Sequence, residues 1–240
     1  MVYNSIEQEV EDIINSINDE ALRAFPDDSP FVCLFSGGKD SGLAISMASD
    51  YSKPMALIYY MDFNDKTYVH NRRLANINQQ ARAMEIPLET YEGGRKTVRD
   101  LHKFAKTLKK YADMGAKYLV SGSIYDILAY KINSKLAGIL NMEFKSPLWK
   151  LPNEEIMQQI EKRNIKSVIT CITELLPHEM LGQIFDRNIY NEIRKMGIDP
   201  LCDSCEYDTT LVDSDCFKKK VYYKSLESND SFNLEIEISC

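Results

Sequence analysis

Phe31-Val32-Cys33-Leu34-Phe35-Ser36-Gly37-Gly38-Lys39-Asp40-Ser41 decides how this chain is read. Its first five residues are apolar without a break, which reads as a buried strand. Two glycines then interrupt the pattern. Gly42-Leu43-Ala44-Ile45-Ser46-Met47-Ala48 resumes it with helical composition. A strand, a glycine turn and a helix in succession make a phosphate cradle. The glycines let the backbone approach an anion, and the free N–H groups at the helix N-terminus bind it. The spacing is neither Gly-x4-Gly-Lys-Ser/Thr nor Gly-x-Gly-x-x-Gly, so a Walker loop and a dinucleotide fold get no support. The bland alternative is an ordinary glycine turn capped by Ser36 or Asp40.

Outward from this stretch, strands and helices alternate. Residues 54–61 read as a second buried strand, 67–84 as a helix and 86–91 as a shorter strand. Residues 97–114 carry Val98, Leu101, Phe104, Ala105 and Leu108 on one helical face. Residues 118–122 read as a fourth strand whose Gly122 opens another turn, and 124–141 are again helical. This alternation predicts an α/β fold, a parallel sheet covered on both faces with right-handed crossovers. Ligands of such sheets bind beyond the carboxyl ends of the strands. Residues 36–41, 61–64 and 122–126 lie there.

Upstream, Ile6, Val10, Ile13, Ile14, Ile17, Ala21 and Leu22 predict an amphipathic helix over 5–24, ended by Phe25-Pro26-Asp27-Asp28. Downstream the pattern changes near Ser146-Pro147-Leu148-Trp149. Helices over 153–163 and 188–196, a strand over 167–172 and three strands over 209–212, 220–223 and 232–238 follow. Asn229-Asp230 marks a hairpin turn. The division predicted is a nucleotide-binding domain with its N-terminal helix over 1–145 and a smaller α+β subdomain over 146–240 that closes over it. Trp149 is expected to pack between the two.

The 240 residues are 44% apolar and 27% charged, the composition of a soluble globular protein. The net charge of −7 argues against general nucleic-acid binding, which needs a basic footprint. No stretch has the length of a membrane span, and the first residues lack the basic and apolar regions of a signal peptide. The expected location is therefore the cytoplasm, with reduced thiols. Of the six cysteines, only Cys202 and Cys205 have a suggestive spacing.

The string Ser36-Gly37-Gly38-Lys39-Asp40-Ser41 resembles the PP-loop of the ATP pyrophosphatase (adenine nucleotide α-hydrolase-like) group. A second stretch, Cys202-Asp203-Ser204-Cys205-Glu206-Tyr207-Asp208-Thr209 followed by Leu211-Val212-Asp213 and Phe217, resembles the acidic Gly-Glu-Gly-Gly-Glu-Tyr-Glu-Thr motif of the diphthine–ammonia ligase (diphthamide synthetase) family. His70, Gln80-Ala81, Met84, Ile86-Pro87, Gly122-Ser123-Ile124 and Pro147-Leu148-Trp149 match its landmarks in order, so the resemblance covers residues 31–225. It implies a PP-loop (HUP-like) domain and an ATP-dependent amidation. A carboxylate attacks the α-phosphorus of ATP, pyrophosphate leaves, and ammonia displaces AMP from the acyl-adenylate. The family's acceptor is diphthine, a modified histidine on translation elongation factor 2.

Roles follow from the chemistry of the matched residues. The N–H groups of Gly37, Gly38 and Lys39, the Lys39 charge and the hydroxyls of Ser36 and Ser41 would grip pyrophosphate, where preorganised donors matter most. Asp40 would take a Mg²⁺ water or a backbone N–H. Met61 and Gly122 would meet the nucleotide through backbone. Glu206 and Asp208 are candidates for Mg²⁺ or for orienting ammonia and accepting its proton. His70, Ser123, Asp203, Tyr207 and Thr209 are candidates for contacting the acceptor. The chain also departs from the family. The motif's glycines are Cys202, Ser204 and Cys205, its first Glu is Asp203, Ser123 replaces an Asp, and the helix at Leu128-Ala129-Tyr130-Lys131-Ile132 lacks an expected Arg. Cys202 and Cys205 have three readings: small replacements for glycine, a sulfur-carrying pair, or half of a zinc site whose other ligands have no matching spacing. Two rival functions follow, a sulfur-transfer enzyme using that pair and a nucleotide-binding regulator without turnover.

Overall fold

Phe31–Leu34 forms the central strand β1, and in this computed structural model it organises everything around it. The structure describes residues 15–61, 74–92, 98–201, 206–228 and 231–238. β2 (Pro54–Met61), β3 (Leu88–Glu92), β4 (Tyr118–Val120) and β5 (Glu143–Lys145) join β1 in one sheet of order β3-β2-β1-β4-β5, every pairing parallel. The chain builds outward from β1 to β3 on one side, then returns to lay β4 and β5 on the other. This reversal of strand order puts a switch point between β1 and β4, where such sheets hold their ligands.

Burial on both faces explains the unbroken apolar run. Phe31, Cys33 and Phe35 face a core with α2 (Lys39–Ser49), α3 (Leu74–Met84) and the C-terminal part of the chain. Val32 faces the other way, onto a core with Phe104 and Leu108 of α4 (Val98–Asp113) and Ala137 of α5 (Ile127–Ile139). The predicted α/β fold with a parallel sheet is present, and among the described residues no helix is long and apolar enough to cross a membrane.

The C-terminal part contains α6 (Asn153–Lys162), β6 (Lys166–Ile172), a 3-10 turn (His178–Met180), α7 (Arg187–Lys195) and β7 (Tyr207–Asp213). β6 and β7 pair antiparallel as a two-stranded sheet. β8 (Val221–Ser228) and β9 (Ser231–Ile238) pair as a second one, as expected of a hairpin, although its turn at 229–230 lies outside the described residues. Ile156, Ile169 and Leu211 share one core with Phe31 and Leu43, so the C-terminal elements rest directly on the sheet's helical layer. Arg163 fastens them further. Its guanidinium donates to the carbonyl of Ser46 at 3.1 Å and to the Asp50 carboxylate.

Three local expectations change. The helix predicted over 5–24 is interrupted at Ile17 and Asn18, and α1 (Asp19–Arg23) starts anew. The Asn18 side chain accepts the Ala21 N–H at 3.0 Å, an N-cap that outcompetes helix continuation. Residues 1–14 lie outside the described residues. Trp149 lies in the core on the sheet face opposite the one that the C-terminal elements cover. It packs beside Tyr125 and Tyr130, and its Nε1 donates to Asp19 at 2.9 Å. Finally, β5 has no counterpart in the sequence reading. Its Lys145 is buried, with the ammonium bonded to the Ala21 carbonyl and the Glu143 carboxylate.

Candidate nucleotide site

The loop between β1 and α2 occupies the switch point, and its shape follows from its glycines. Gly37 has φ of +78°, a left-handed conformation that a side chain would strain, and a Cβ there would lie 2.7 Å from Gln80 Oε1. Gly38 caps α2 in an extended conformation and offers no side-chain hydrogen bond. The N–H groups of Asp40 and Ser41 stand in the first turn and so have no intrahelical acceptor. Ser36 and Ser41 close the turn, their hydroxyls 3.2 Å apart, with the Ser36 N–H donating to Ser41 Oγ at 3.3 Å. Gly122, just past β4, lies so close that a Cβ would come within 2.6 Å of the Asp40 carbonyl. Glycine at 122 is therefore what lets the β4 exit touch the loop.

β7 joins the two sequence motifs. The Leu211 N–H donates to the Gly37 carbonyl at 2.8 Å. The Lys39 N–H donates to Thr209 Oγ1 at 3.1 Å. Since Gly38 has no side chain, Thr209 provides from a distant strand the cap that α2 lacks. Alternation along a strand places Tyr207, Thr209 and Leu211 on one face of β7 and Asp208 and Thr210 on the other. The first face meets α2: Tyr207 lies under the Lys39 ammonium and Leu211 fills the space at Gly42. Asp208 is on the opposite face, and its Oδ1 accepts the Thr209 N–H at 3.1 Å.

Lys39 is only 3% exposed. Its ammonium donates to the Leu201 carbonyl at 2.6 Å and to Asp40 Oδ2 at 3.0 Å, and it stands 5.6 Å and 5.2 Å from the ring centres of Phe185 and Tyr207. Both the amide and the ammonium that the sequence assigned to pyrophosphate thus have protein partners, the amide tying the loop to β7 and the ammonium tying it to the segment before β7. Tyr207, read from sequence as an acceptor contact, donates its hydroxyl to the Pro200 carbonyl at 2.7 Å and stacks on Phe185. Ser123 stays near the loop through Gly122, but its hydroxyl accepts the Asp126 N–H at 3.3 Å in the turn that leads to α5.

The residues present fit a metal-bound nucleoside triphosphate. Glycines clear the backbone for close approach, and first-turn N–H groups are available to an anion. Asp40 Oδ1 and Glu206 Oε2 are each buried acceptors with no hydrogen-bond partner among the described residues, and carboxylate oxygens are the donors that a hard cation takes. No group of three or more His, Cys, Asp or Glu able to hold a metal by themselves occurs among the described residues. Mg²⁺ needs no such cage, since phosphates and water complete its shell. Met61 ends β2 beside the loop, with its side chain not described. His70, Asp203, Cys202 and Cys205 lie outside the described residues.

Sequence reasoning missed Gln80 as part of the site, because it stands there only as a family landmark. It is fully buried, and its Nε2 donates to the Gly37 carbonyl at 3.0 Å and the Leu211 carbonyl at 2.7 Å. A buried glutamine in an apolar helical stripe is the signal that could have found it.

Two solved structures are similar to parts of this chain. One titled as a predicted subunit of tRNA methyltransferase from Methanocaldococcus jannaschii gives a TM-score of 0.40 and 18% identity, over 77% of this chain and 98% of that one. The U34-tRNA thiolase NcsA from Methanococcus maripaludis, solved with its [4Fe-4S] cluster, gives 0.37 and 16%, over 65% of this chain and 63% of that one. Curated proteins give no match. The family model of the diphthamide synthase N-terminal domain matches residues 30–137, and that of the C-terminal domain matches residues 152–237. The loop falls in the first match and β7 in the second, and with both halves of its site accounted for, the chain belongs to the diphthamide synthase family of PP-loop ATP pyrophosphatases.

Proposed function

We propose that this protein is an AMP-forming acid–ammonia ligase: it activates a carboxylate with ATP, releases pyrophosphate, and converts the acyl-adenylate to an amide with ammonia. The observation that carries the reading is the bonded pair of motifs, the glycine loop held to β7 by Leu211–Gly37 and Thr209–Lys39. The N–H groups of Gly37, Gly38, Asp40 and Ser41 and the hydroxyls of Ser36 and Ser41 would hold the leaving pyrophosphate, with the Lys39 charge adding to the field behind them. Donors fixed in place before charge develops are worth most in a water-poor site. Asp40 and Glu206 would hold Mg²⁺, which would offset phosphate charge. Glu206 or Asp208 would orient the incoming ammonia and accept its proton. The acceptor in this reading carries a carboxylate of the diphthine type on a protein, and the site's working location is the cytoplasm.

The test is to incubate the chain with ATP, Mg²⁺, ammonium and a diphthine-bearing protein or small carboxylic acids. AMP, pyrophosphate and an amide are expected. ADP and phosphate would overturn the reading, and a thioamide formed with a sulfur donor would move the chain to sulfur transfer. Among described cysteines, Cys171 pairs with Asp208 across β6 and β7, but burial raises its pKa and works against the thiolate that sulfur delivery requires.

A further inference from the structure

We propose that Gln80 is a positioning residue: its side-chain amide completes a short strand-like edge against β7 and so fixes the glycine loop in register with the second motif. The geometry is that of a β-ladder made from unlike parts. In an antiparallel pair the N–H and C=O of one residue point together to the same side. Leu211 sends both away from β6: its N–H goes to the Gly37 carbonyl and its C=O accepts from Gln80 Nε2. The second Nε2 hydrogen goes to the Gly37 carbonyl. One side-chain amide thus replaces the peptide N–H that a neighbouring strand would offer, and it bonds both partners at once.

This assigns the amide orientation, because two carbonyls demand the NH₂ end. Gln80 Oε1 is left buried with no hydrogen-bond partner among the described residues, pressed against Gly37. Leaving such an acceptor unpaired is destabilising. A residue chosen only to fill space would be apolar, so the amide is retained for what its NH₂ holds. What it holds is the carbonyl of the left-handed Gly37, on which the direction of the next N–H groups depends. The link to catalysis rests on the ATP reading above, whereas the link to loop register does not.

The test uses the full chain with Gln80→Met, which keeps length and flexibility but removes both donors. Hydrogen exchange at the Leu211 amide is measured without nucleotide, and kcat and KM for ATP by pyrophosphate release. The expected result is a Leu211 exchange rate raised roughly tenfold or more, from the loss of two hydrogen bonds. With it, kcat should fall more than KM rises, since misaimed donors weaken transition-state binding. Unchanged Leu211 exchange in a folded variant overturns the proposal. If the wild-type chain releases no pyrophosphate, the ATP reading fails while the exchange comparison still decides the role of Gln80. If Gln80→Met does not fold, Gln80→Glu replaces it. Its buried carboxyl faces two carbonyls and regains one donor only when protonated, so its thermal deficit against wild type should shrink as pH falls. A deficit independent of pH overturns the proposal.

Discussion

Replacing Gly122 with Ala should damage the loop without touching any side chain in it. The added methyl would lie 2.6 Å from the Asp40 carbonyl carbon and oxygen and 2.7 Å from the Ser41 nitrogen, where ordinary contact begins at 3.4 Å. These are backbone atoms in the first turn of α2, and no rotamer can move them aside. Either β4 or the helix must shift by the better part of an ångström. Such overpacking costs about 1–3 kcal/mol, which for a chain of this size lowers the thermal midpoint by roughly 3–10 °C. The same shift moves the Asp40 and Ser41 N–H groups, so ATP should bind less tightly. Gly138→Ala is the control. Gly138 lies in α5 without a positive φ, and a methyl added there would meet nothing within 4 Å. Alanine there should stabilise the helix by about 0.5–1 kcal/mol and leave ATP affinity unchanged. Calorimetry and titration with ATP on both variants decide the matter. A Gly122→Ala protein with the wild-type midpoint and affinity would refute the idea that close approach at 122 shapes the loop.

Thr209→Val should leave the Lys39 N–H without its cap and cost about 1–2 kcal/mol, while Thr209→Ser restores the acceptor; equal thermal midpoints for wild type and Val would refute the capping role. Acid should also weaken the fold near β4. The Asp27 carboxylate accepts from the Tyr118 hydroxyl at 2.6 Å and from the Ser29 N–H at 2.9 Å, and these bonds hold its pKa below the ordinary 3.8. A depressed folded-state pKa adds stability above the unfolded value that is lost as pH falls through the folded one. The midpoint advantage of wild type over Asp27→Asn should therefore hold at neutral pH and shrink as pH falls below the ordinary 3.8; a constant difference refutes the linkage.

The elements that sequence revealed are those whose environment is uniform along their length. β1 and β2 are buried on both faces, so their apolar runs are unbroken, and the Gly37-Gly38 break could only be a turn. β5 was illegible because Glu143-Phe144-Lys145 reads as polar. The Lys145 ammonium finds the Ala21 carbonyl and the Glu143 carboxylate instead of water, and pairing of that kind leaves no periodic trace. Asn18 shows the complementary difficulty, since one side-chain cap ended a helix that seven well-spaced apolar residues favoured. For the site, the loop and the acidic motif could each be found locally. Their contact could not, because Thr209 lies 170 positions from the amide that it caps.

That contact also explains why the second motif must be a strand. A glycine loop able to admit phosphate has to give up side chains, and Gly38 accordingly leaves α2 without a cap of its own. Some other element must then supply an acceptor to Lys39 and a donor to Gly37. A β-strand can do both, because alternate residues face the same way and its backbone N–H groups are aimed outward. In β7, Thr209 gives the acceptor and Leu211 the donor, two residues apart on the α2 face. The same alternation turns Asp208 away from the helix. Glu206, one residue before the strand, still accepts the Thr173 N–H through its carbonyl at 2.8 Å, and its side chain keeps a buried oxygen without a hydrogen-bond partner among the described residues. Within the motif, then, a hydroxyl and a backbone N–H, from Thr209 and Leu211, build the loop.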